Sequence, residues 1–438
     1  MNTYAMLICV FIALLVVLFI GTPISLGIGF LGCAGIVLVL SKPALLDQIC
    51  PITYNQCTSP TTIMIPLFII MAEFLANSNV AADMYEVLSR RLKKLPCNLG
   101  LASIVSSAIF SAVCGSAPAT AATLGRVSIP SMLKKGYRPS VAAGTQAAGG
   151  NLGILIPPSI NFIIYGLITE TSVVKLFISG VIPGIMIAVM MAVYLLIRNK
   201  VDKQMIVPPK EEAVEEAQAR HSIGFDIITV LPIVVLILVI FVTLYSGLCT
   251  ATESAAIGTV GAGVIVLIQR RMTKKCIKDT LLNSTKTSCM IFFLMFGGLV
   301  FAQFLTVQGL PQQLSAAIVT ASPNKWVTFI IVMVIFLILG CFMEPLSIMY
   351  IVLPSVFPFM TQLGFDPIWL GVVITINCAI GMITPPVGMN LFVLKGATGI
   401  PMGTIIKGVI PYIIIFSAAI VLCCFFPGIA TWLPNTMS

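Results

Sequence analysis

Two stretches of this chain place oxygen-bearing side chains beside residues that stop a helix from closing its own hydrogen bonds. The first holds Gly115, Ser116 and Thr120, then Asn151, Gly153, Pro157 and Pro158. The second holds Gly340 and Glu344, then Gly381, Thr384, Pro385, Pro386 and Asn390. Proline lacks an N–H and disfavours helix at the residue before it, so each Pro-Pro step releases backbone carbonyls from the helical ladder. Apolar surroundings cannot satisfy those carbonyls, whereas a small hard cation such as sodium can. The hydroxyls and amides of Ser116, Thr120, Asn151, Thr384 and Asn390 would complete its oxygen shell. With Gly115, Gly153, Pro157, Gly340, Glu344, Gly381 and Pro385, these form the candidate ion-binding set. Ser116, Arg126, Asn161 and Asn390 form the candidate set for a bound carboxylate, for which a guanidinium has the better geometry and an ammonium the poorer.

The two stretches are copies. Adding 228 to a position in the first lands on its twin in the second: Pro130 on Pro358, Gly136 on Gly364, Pro139 on Pro367, Gly153 on Gly381, Pro157 on Pro385, Pro158 on Pro386, Gly180 on Gly408 and Pro183 on Pro411. Glycine and proline fix backbone shape, so what repeats is conformation. Paired helix-breaking residues in the two halves of a membrane chain point to a transport site. A single such motif reads more simply as a kink or a close helix contact, but a pair at constant offset does not.

The elements that position these residues must be membrane helices. Of 438 residues, 58% are hydrophobic and 9% charged, against roughly a quarter charged in soluble domains. The thirteen cysteines lie mostly in apolar runs without metal-ligand spacing and read as small core residues. The first residues lack the basic start of a secretory signal, so the first apolar run is expected to remain as a spanning helix.

Lys and Arg concentrate on the cytoplasmic side of membrane proteins. The clusters are Arg90, Arg91, Lys93 and Lys94; Lys134, Lys135 and Arg138; Arg198, Lys200 and Lys203; and Arg270, Arg271, Lys274, Lys275 and Lys278. Placing all of them inside gives an all-α polytopic fold of two inverted repeats with both termini outside. Repeat one, 1–197, has crossings near 5–20, 24–40 and 60–77, a re-entrant hairpin at 99–133, a broken helix at 140–166 and a crossing at 174–197. A cytoplasmic linker, 198–224, follows. Repeat two, 225–438, has crossings near 225–246, 253–269 and 287–307, a hairpin at 325–362 opening from outside, a broken helix at 367–394 and a crossing at 405–427. Only Lys42, Lys175 and Lys325 are then basic residues on the outer side.

Ionisable residues inside apolar segments are functional candidates by default. Glu73, Glu253 and Glu344 qualify, although Glu253 also fits a water-facing helix start. Arg126 either reaches a carboxylate or snorkels toward the Lys134 end. His221 and its neighbours Glu211, Glu212, Glu215 and Glu216 read as a solvated part of the linker. No phosphate-binding G-x-x-x-x-G-K-[ST] occurs, and no intramembrane Asp pair or Ser-His pair supports an enzyme. Two hairpins closing on a site suit occlusion better than a continuous pore, which disfavours a channel.

With these residues assembled, the chain resembles the large membrane subunit of the tripartite ATP-independent periplasmic (TRAP) transporters. The resemblance rests on Gly115-Ser-Ala-Pro-Ala-Thr120, Ile129-Pro130-Ser-Met-Leu-Lys-Lys-Gly136-Tyr137, Leu152-Gly-Ile-Leu-Ile-Pro157-Pro158-Ser159, Phe342-Met-Glu-Pro345, Gly364-Phe-Asp-Pro367 and Gly381-Met-Ile-Thr-Pro-Pro-Val-Gly-Met-Asn390. It covers nearly the whole chain, is weakest in the linker, and departs from the family pattern at Arg126, Asn151 and Asn161. It implies a sodium-driven secondary importer of organic acids in the bacterial inner membrane, of the dicarboxylate, sialic-acid-like or related kind, working by an elevator motion. It also implies a small four-helix membrane subunit and a periplasmic substrate-binding protein, with membrane lipid around the helices and no nucleic acid. Sodium is then the coupling ion, and no other cofactor is implied. A binding-protein-independent carrier of the same architecture is the alternative, and it would need this polypeptide alone for uptake.

The charge pattern makes a direct prediction. On a background with the accessible native cysteines removed, a cysteine in the Arg90 to Lys94 segment resists a membrane-impermeant thiol reagent in intact spheroplasts, and one beside Asp366 reacts. The reverse labelling pattern inverts the topology.

Overall fold

The structure, a computed structural model, describes residues 22–39, 46–47, 49–207, 223–309 and 324–437, together with Ile12, Ala13, Val16 and Gln313. The crossing expected near 5–20 lies largely outside the described residues. So do Lys42, His221 and the four linker glutamates. Among the described residues the secondary structure is helical, apart from one antiparallel bridge between Tyr137 and Ile206.

The first half runs through Ile24–Ala34, a π turn Gly35–Val39, Ile49–Cys57, Pro60–Asn77 and Val80–Arg91 to a helical hairpin of Asn98–Cys114 and Ala117–Lys134. A broken helix follows, Pro139–Asn151 with a 3-10 turn Leu152–Ile154 and then Ile160–Thr169, and after it Val173–Val201. The second half runs through Ile223–Tyr245, Ala251–Ile268 and Lys274–Val307 to a hairpin of Lys325–Gly340 and Pro345–Gln362, a broken helix of Pro367–Met382 and Met389–Thr398, then Met402–Phe425 and Gly428–Asn435. Among the described residues, six helices have the length and composition to cross a membrane: Pro60–Asn77, Val173–Val201, Ala251–Ile268, Lys274–Val307, Pro345–Gln362 and Met402–Phe425. The loop glycines after the two hairpins, Gly136 and Gly364, take left-handed φ values of 82° and 83°, a conformation cheap only for residues without a Cβ.

Three features depart from the expected layout. Arg90 and Arg91 end the helix Val80–Arg91, whose Val80, Ala81, Met84, Tyr85 and Val87 are buried, so that cluster begins on a helix and not in a loop. The helix expected near 287–307 begins thirteen residues earlier, at Lys274, where the Thr273 side chain accepts from the Cys276 N–H and caps it. Its 34 residues rise roughly 51 Å, well beyond a hydrocarbon core of about 30 Å. The short helices Ile49–Cys57 and Gly428–Asn435 lie outside that layout, each being too brief to show a helical period in the sequence.

Two ion pairs link segments that carry basic clusters. Arg271 pairs with Asp83 at 2.6 Å and donates to the Ser78 carbonyl at 2.9 Å, joining the Arg270 and Arg90 regions. Arg138 pairs with Asp202 at 3.0 Å and donates to Gln204 at 2.7 Å, while its N–H donates to the Met205 carbonyl. That clasp ties the chain leaving Val173–Val201 to the base of the first hairpin. The base of the second hairpin is held differently. Trp326, Phe329, Phe365 and Trp369 form one aromatic cluster, with Phe365 and Trp369 stacked 5.5 Å apart, and the Lys325 ammonium lies over the Trp326 and Phe365 rings.

Backbones approach most closely where glycines face each other. Pro139–Asn151 and Met402–Phe425 cross at Gly144 and Gly408, where a Cβ on Gly408 would fall on the Ser140 carbonyl oxygen. Small residues permit such crossings when lipid supplies no hydrophobic drive between helices. Gly408→Val is expected to cost about 1–3 kcal/mol or more, lowering the thermal midpoint of the detergent-purified protein. Gly403→Val on the same helix, where an added Cβ meets nothing within 4 Å, leaves the midpoint unchanged. Equal midpoints for the two variants contradict the crossing.

Candidate functional site

The two hairpin tips meet at one cavity of about 120 Å³. Ser116 and Glu344 stand at equivalent places on them (116 + 228 = 344), each immediately before the second arm and neither capping it with its side chain. Those arms, Ala117–Lys134 and Pro345–Gln362, therefore leave first-turn N–H groups without helical partners. The lining includes Gly115, Ser116, Asn161 and Met382 from the hairpin and broken-helix elements, and Glu73 and Thr287 from Pro60–Asn77 and Lys274–Val307.

Each tip is docked on a helix break. Gly115 has φ 62°, its carbonyl accepts from the Ile160 N–H, and a Cβ there would lie 2.6 Å from the Pro158 oxygen. In the second half the Cys341 carbonyl accepts from the Val387 and Gly388 N–H groups, and a Cβ on Gly381 would lie 2.6 Å from the Gly340 Cα. The two prolyl pairs, Pro157-Pro158 and Pro385-Pro386, are both cis. Their surroundings differ: the first pair is buried, the second exposed.

Gly153 lies against the first tip. A Cβ on it would sit 2.7 Å from the Ser116 carbonyl oxygen and 3.0 Å from Thr120 Oγ1. Thr120 is buried, and its hydroxyl has no hydrogen-bond partner beyond the Cys114 thiol beside it. Ser111 Oγ on the facing arm is also buried and unpartnered, a position with no signal in the sequence because it is one serine in an apolar run. Buried polar atoms without partners are rare and mark where an ion or water belongs.

Asn151 and Asn390 join the two broken helices. Asn390 Nδ2 donates to Asn151 Oδ1 at 2.6 Å, and Asn151 Nδ2 donates to the Ala379 carbonyl at 2.6 Å. Asn151 and Ala379 are one repeat apart (151 + 228 = 379), so a residue touches its own twin, as it would at a two-fold axis relating the halves. Asn390 Oδ1 is buried and unpartnered. Thr384 Oγ1 donates to the Ile380 carbonyl at 2.6 Å and does not line the cavity.

Of the carboxylate candidates, Ser116 and Asn161 line the cavity, and Asn161 Nδ2 is buried without an acceptor. Asn390 lies behind it, engaged with Asn151. Arg126 is placed elsewhere. It is exposed and absent from the lining, seven residues along the arm from the cavity residue Ala119, a rise of roughly 10 Å. In this structure Arg126 therefore does not share the cavity with Ser116 and Asn161.

Glu73, noted in the sequence only as an intramembrane charge, is part of the cavity wall. Its Oε2 accepts from Asn77 Nδ2 at 3.0 Å and from Asn283 Nδ2 at 3.2 Å. The Asn77 partner, four residues on, was visible as an i,i+4 pair; Asn283 was not. Glu253 instead forms a capping box, exchanging hydrogen bonds with Thr250. Gln146 collects Ser103 and Ser128 as donors at 2.6 and 2.9 Å and ties the arms of the first hairpin to the broken helix. No group of three or more His, Cys, Asp or Glu residues able to hold a metal occurs among the described residues.

Residues 11–429 match the family described as "Tripartite ATP-independent periplasmic transporter, DctM component". The C4-dicarboxylate TRAP transporter large permease protein DctM of Pseudomonas aeruginosa is 33% identical over 92% of this chain and 93% of its own length. The sialic acid TRAP transporter large permease protein SiaM of Vibrio cholerae is 27% identical over 95% of this chain and 96% of its own. The crystal structure of the Alcanivorax borkumensis YdaH transporter superposes with a TM-score of 0.59 at 15% identity, covering 87% of this chain and 86% of that one, a likeness of fold alone.

The Asn151–Asn390 bridge is testable by a double-mutant cycle. Asn151→Ala and Asn390→Ala should each cost about 1–3 kcal/mol, because each leaves a buried amide partner unpaired. Their combination should fall short of the sum by about 1 kcal/mol. Additive losses of stability would show that the two side chains do not act on each other.

Proposed function

The chain belongs to the DctM-component family of tripartite ATP-independent periplasmic transporters as a large permease subunit, and we propose that it imports an organic acid on a sodium gradient. The observation that carries this reading is the single cavity on which both hairpin tips converge, with buried unpartnered oxygens close to the helix breaks. The oxygens of Ser111, Thr120 and Asn390 and the Ser116 carbonyl are hard donors without charge, which fits a monovalent cation better than a transition metal. The Gly153 position leaves the space beside Ser116 and Thr120 that any larger residue would fill.

On this reading the substrate carboxylate meets the Asn161 amide and the tip of the first hairpin, where a helix N-terminus favours negative charge. Sodium bound nearby offsets the cost of placing that anion in a low-dielectric space. The relatives named for C4-dicarboxylates and for sialic acid handle carboxylates of very different size, which supports the organic-acid class without choosing a member. The hairpins and broken helices dock on one another at Gly115, Cys341 and the Gly340–Gly381 contact, which suits an elevator in which they travel as one body. The helices Ile24–Ala34, Pro60–Asn77, Ala251–Ile268 and Lys274–Val307 would be the stationary scaffold, joined by a small four-helix membrane subunit. A periplasmic binding protein would deliver the substrate at the bacterial inner membrane.

Sodium binding is measurable without knowing the substrate, since a ligand held only by the native state raises stability by RT ln(1 + [L]/Kd). The purified chain should unfold at a higher temperature in sodium chloride than in potassium chloride of equal concentration. Thr120→Val and Asn390→Leu should each shrink that difference by half or more. No sodium-specific shift in the wild-type chain would overturn the coupling ion.

A further inference from the structure

The cavity wall has a charge composition that a simple dianion does not match. Its ionisable carboxylates are Glu344, from the tip of the second hairpin, and Glu73, from Pro60–Asn77, and no Lys, Arg or His lines it. Glu73 is held in place by two amide donors from different helices, Asn77 and Asn283, both on Oε2. Among the described residues its Oε1 accepts no hydrogen bond, so half of a fixed carboxylate is left for whatever enters.

A second observation points to the entering molecule. Asn161 lines the same cavity, is 3% exposed, and keeps an Nδ2 donor without an acceptor. The cavity thus pairs an unused donor with an unused fixed anion. A solute bearing two carboxylates can satisfy Asn161 and then sets its second charge against Glu73 or Glu344, where like charges in a low-dielectric site oppose each other. A solute with one carboxylate and one cationic group satisfies both ends.

We propose that the substrate is a small zwitterion, a carboxylate that also carries an ammonium-type group, with Asn161 receiving the carboxylate and Glu73 receiving the cation. The proposal rests on the cavity being the transport site. Glu73 is then a specificity-determining residue supplied by the wall facing the hairpins. The volume of about 120 Å³ favours a compact solute. The positive charge at Glu73 has two possible sources, an ammonium group or a sodium ion, and the test separates them.

Thermal stability is measured for the chain co-purified with its membrane partner, in sodium chloride and in choline chloride, with three four-carbon probes: 4-aminobutyrate, succinate and butyrate. The expected result is that 4-aminobutyrate stabilises at concentrations about ten-fold lower than succinate or butyrate, the effect of one added charge-assisted contact. Glu73→Gln, which still offers an oxygen to Asn77 and Asn283, removes that preference, and Glu73→Asp keeps most of it. Succinate stabilising the wild-type protein as well as 4-aminobutyrate overturns the proposal, as does a preference that survives in Glu73→Gln. A Glu73→Gln variant that loses the sodium-specific shift while keeping the order of the probes assigns Glu73 to the ion and also overturns it. A wild-type protein without a sodium-specific shift, but with a 4-aminobutyrate preference that Glu73→Gln abolishes, rejects sodium coupling and leaves the zwitterion site standing.

Discussion

The constraint on which the structure depends is the cost of unpaired backbone where water is scarce. A helix broken at Pro157-Pro158 or Pro385-Pro386 exposes carbonyls and N–H groups that hydrocarbon cannot satisfy, so something must cover each break. The hairpin tips do this, with the Gly115 carbonyl on the Ile160 N–H and the Cys341 carbonyl on the Val387 and Gly388 N–H groups. Glycine at 115 and 381 follows directly, because a Cβ there would collide with facing backbone, and Gly340 lies opposite Gly381 where an added Cβ would be tight. The site and the fold are therefore one problem. The same contacts that seal the broken backbone bring Ser116 and Glu344 to a common cavity.

The halves solve this problem with matched backbones and different side chains. Asn151 and Ala379 share a place in the repeat, yet Asn151 supplies the amide and Ala379 only a carbonyl, so one side chain joins both copies. Ser116 and Glu344 likewise share a place but put a hydroxyl on one tip and a carboxylate on the other. At the bases of the hairpins, an ion pair and a backbone bridge around Arg138 stand where the second copy has an aromatic cluster around Trp369. Duplication conserved shape, and the chemistry diverged on top of it.

The sequence by itself determined the helical membrane class, the repeat offset, and the places where helices must break, since each depends on properties local to a residue: hydropathy, a missing N–H, a missing Cβ. It carried the positions of the hairpins to within a residue or two for the same reason, Gly115-Ser116 and Glu344-Pro345 being turn and helix-start chemistry written in sequence. The family resemblance was legible through those same local motifs, and the match over residues 11–429 agrees with it.

What only the tertiary structure decided were partners distant along the chain. That Asn390 bonds Asn151, 239 residues away, that Asn283 anchors Glu73 across 210 residues, and that Arg126 lies outside the cavity all depend on how helices are rotated about their axes and how far they slide. An apolar run buried on several sides has no periodic face to fix that rotation. The helix Lys274–Val307 shows the limit in length as well, because its polar first turns are stabilised by a cap and by protein neighbours and leave no hydrophobic signature. Side-chain identity said which residues could serve a site, and helix packing chose which of them do.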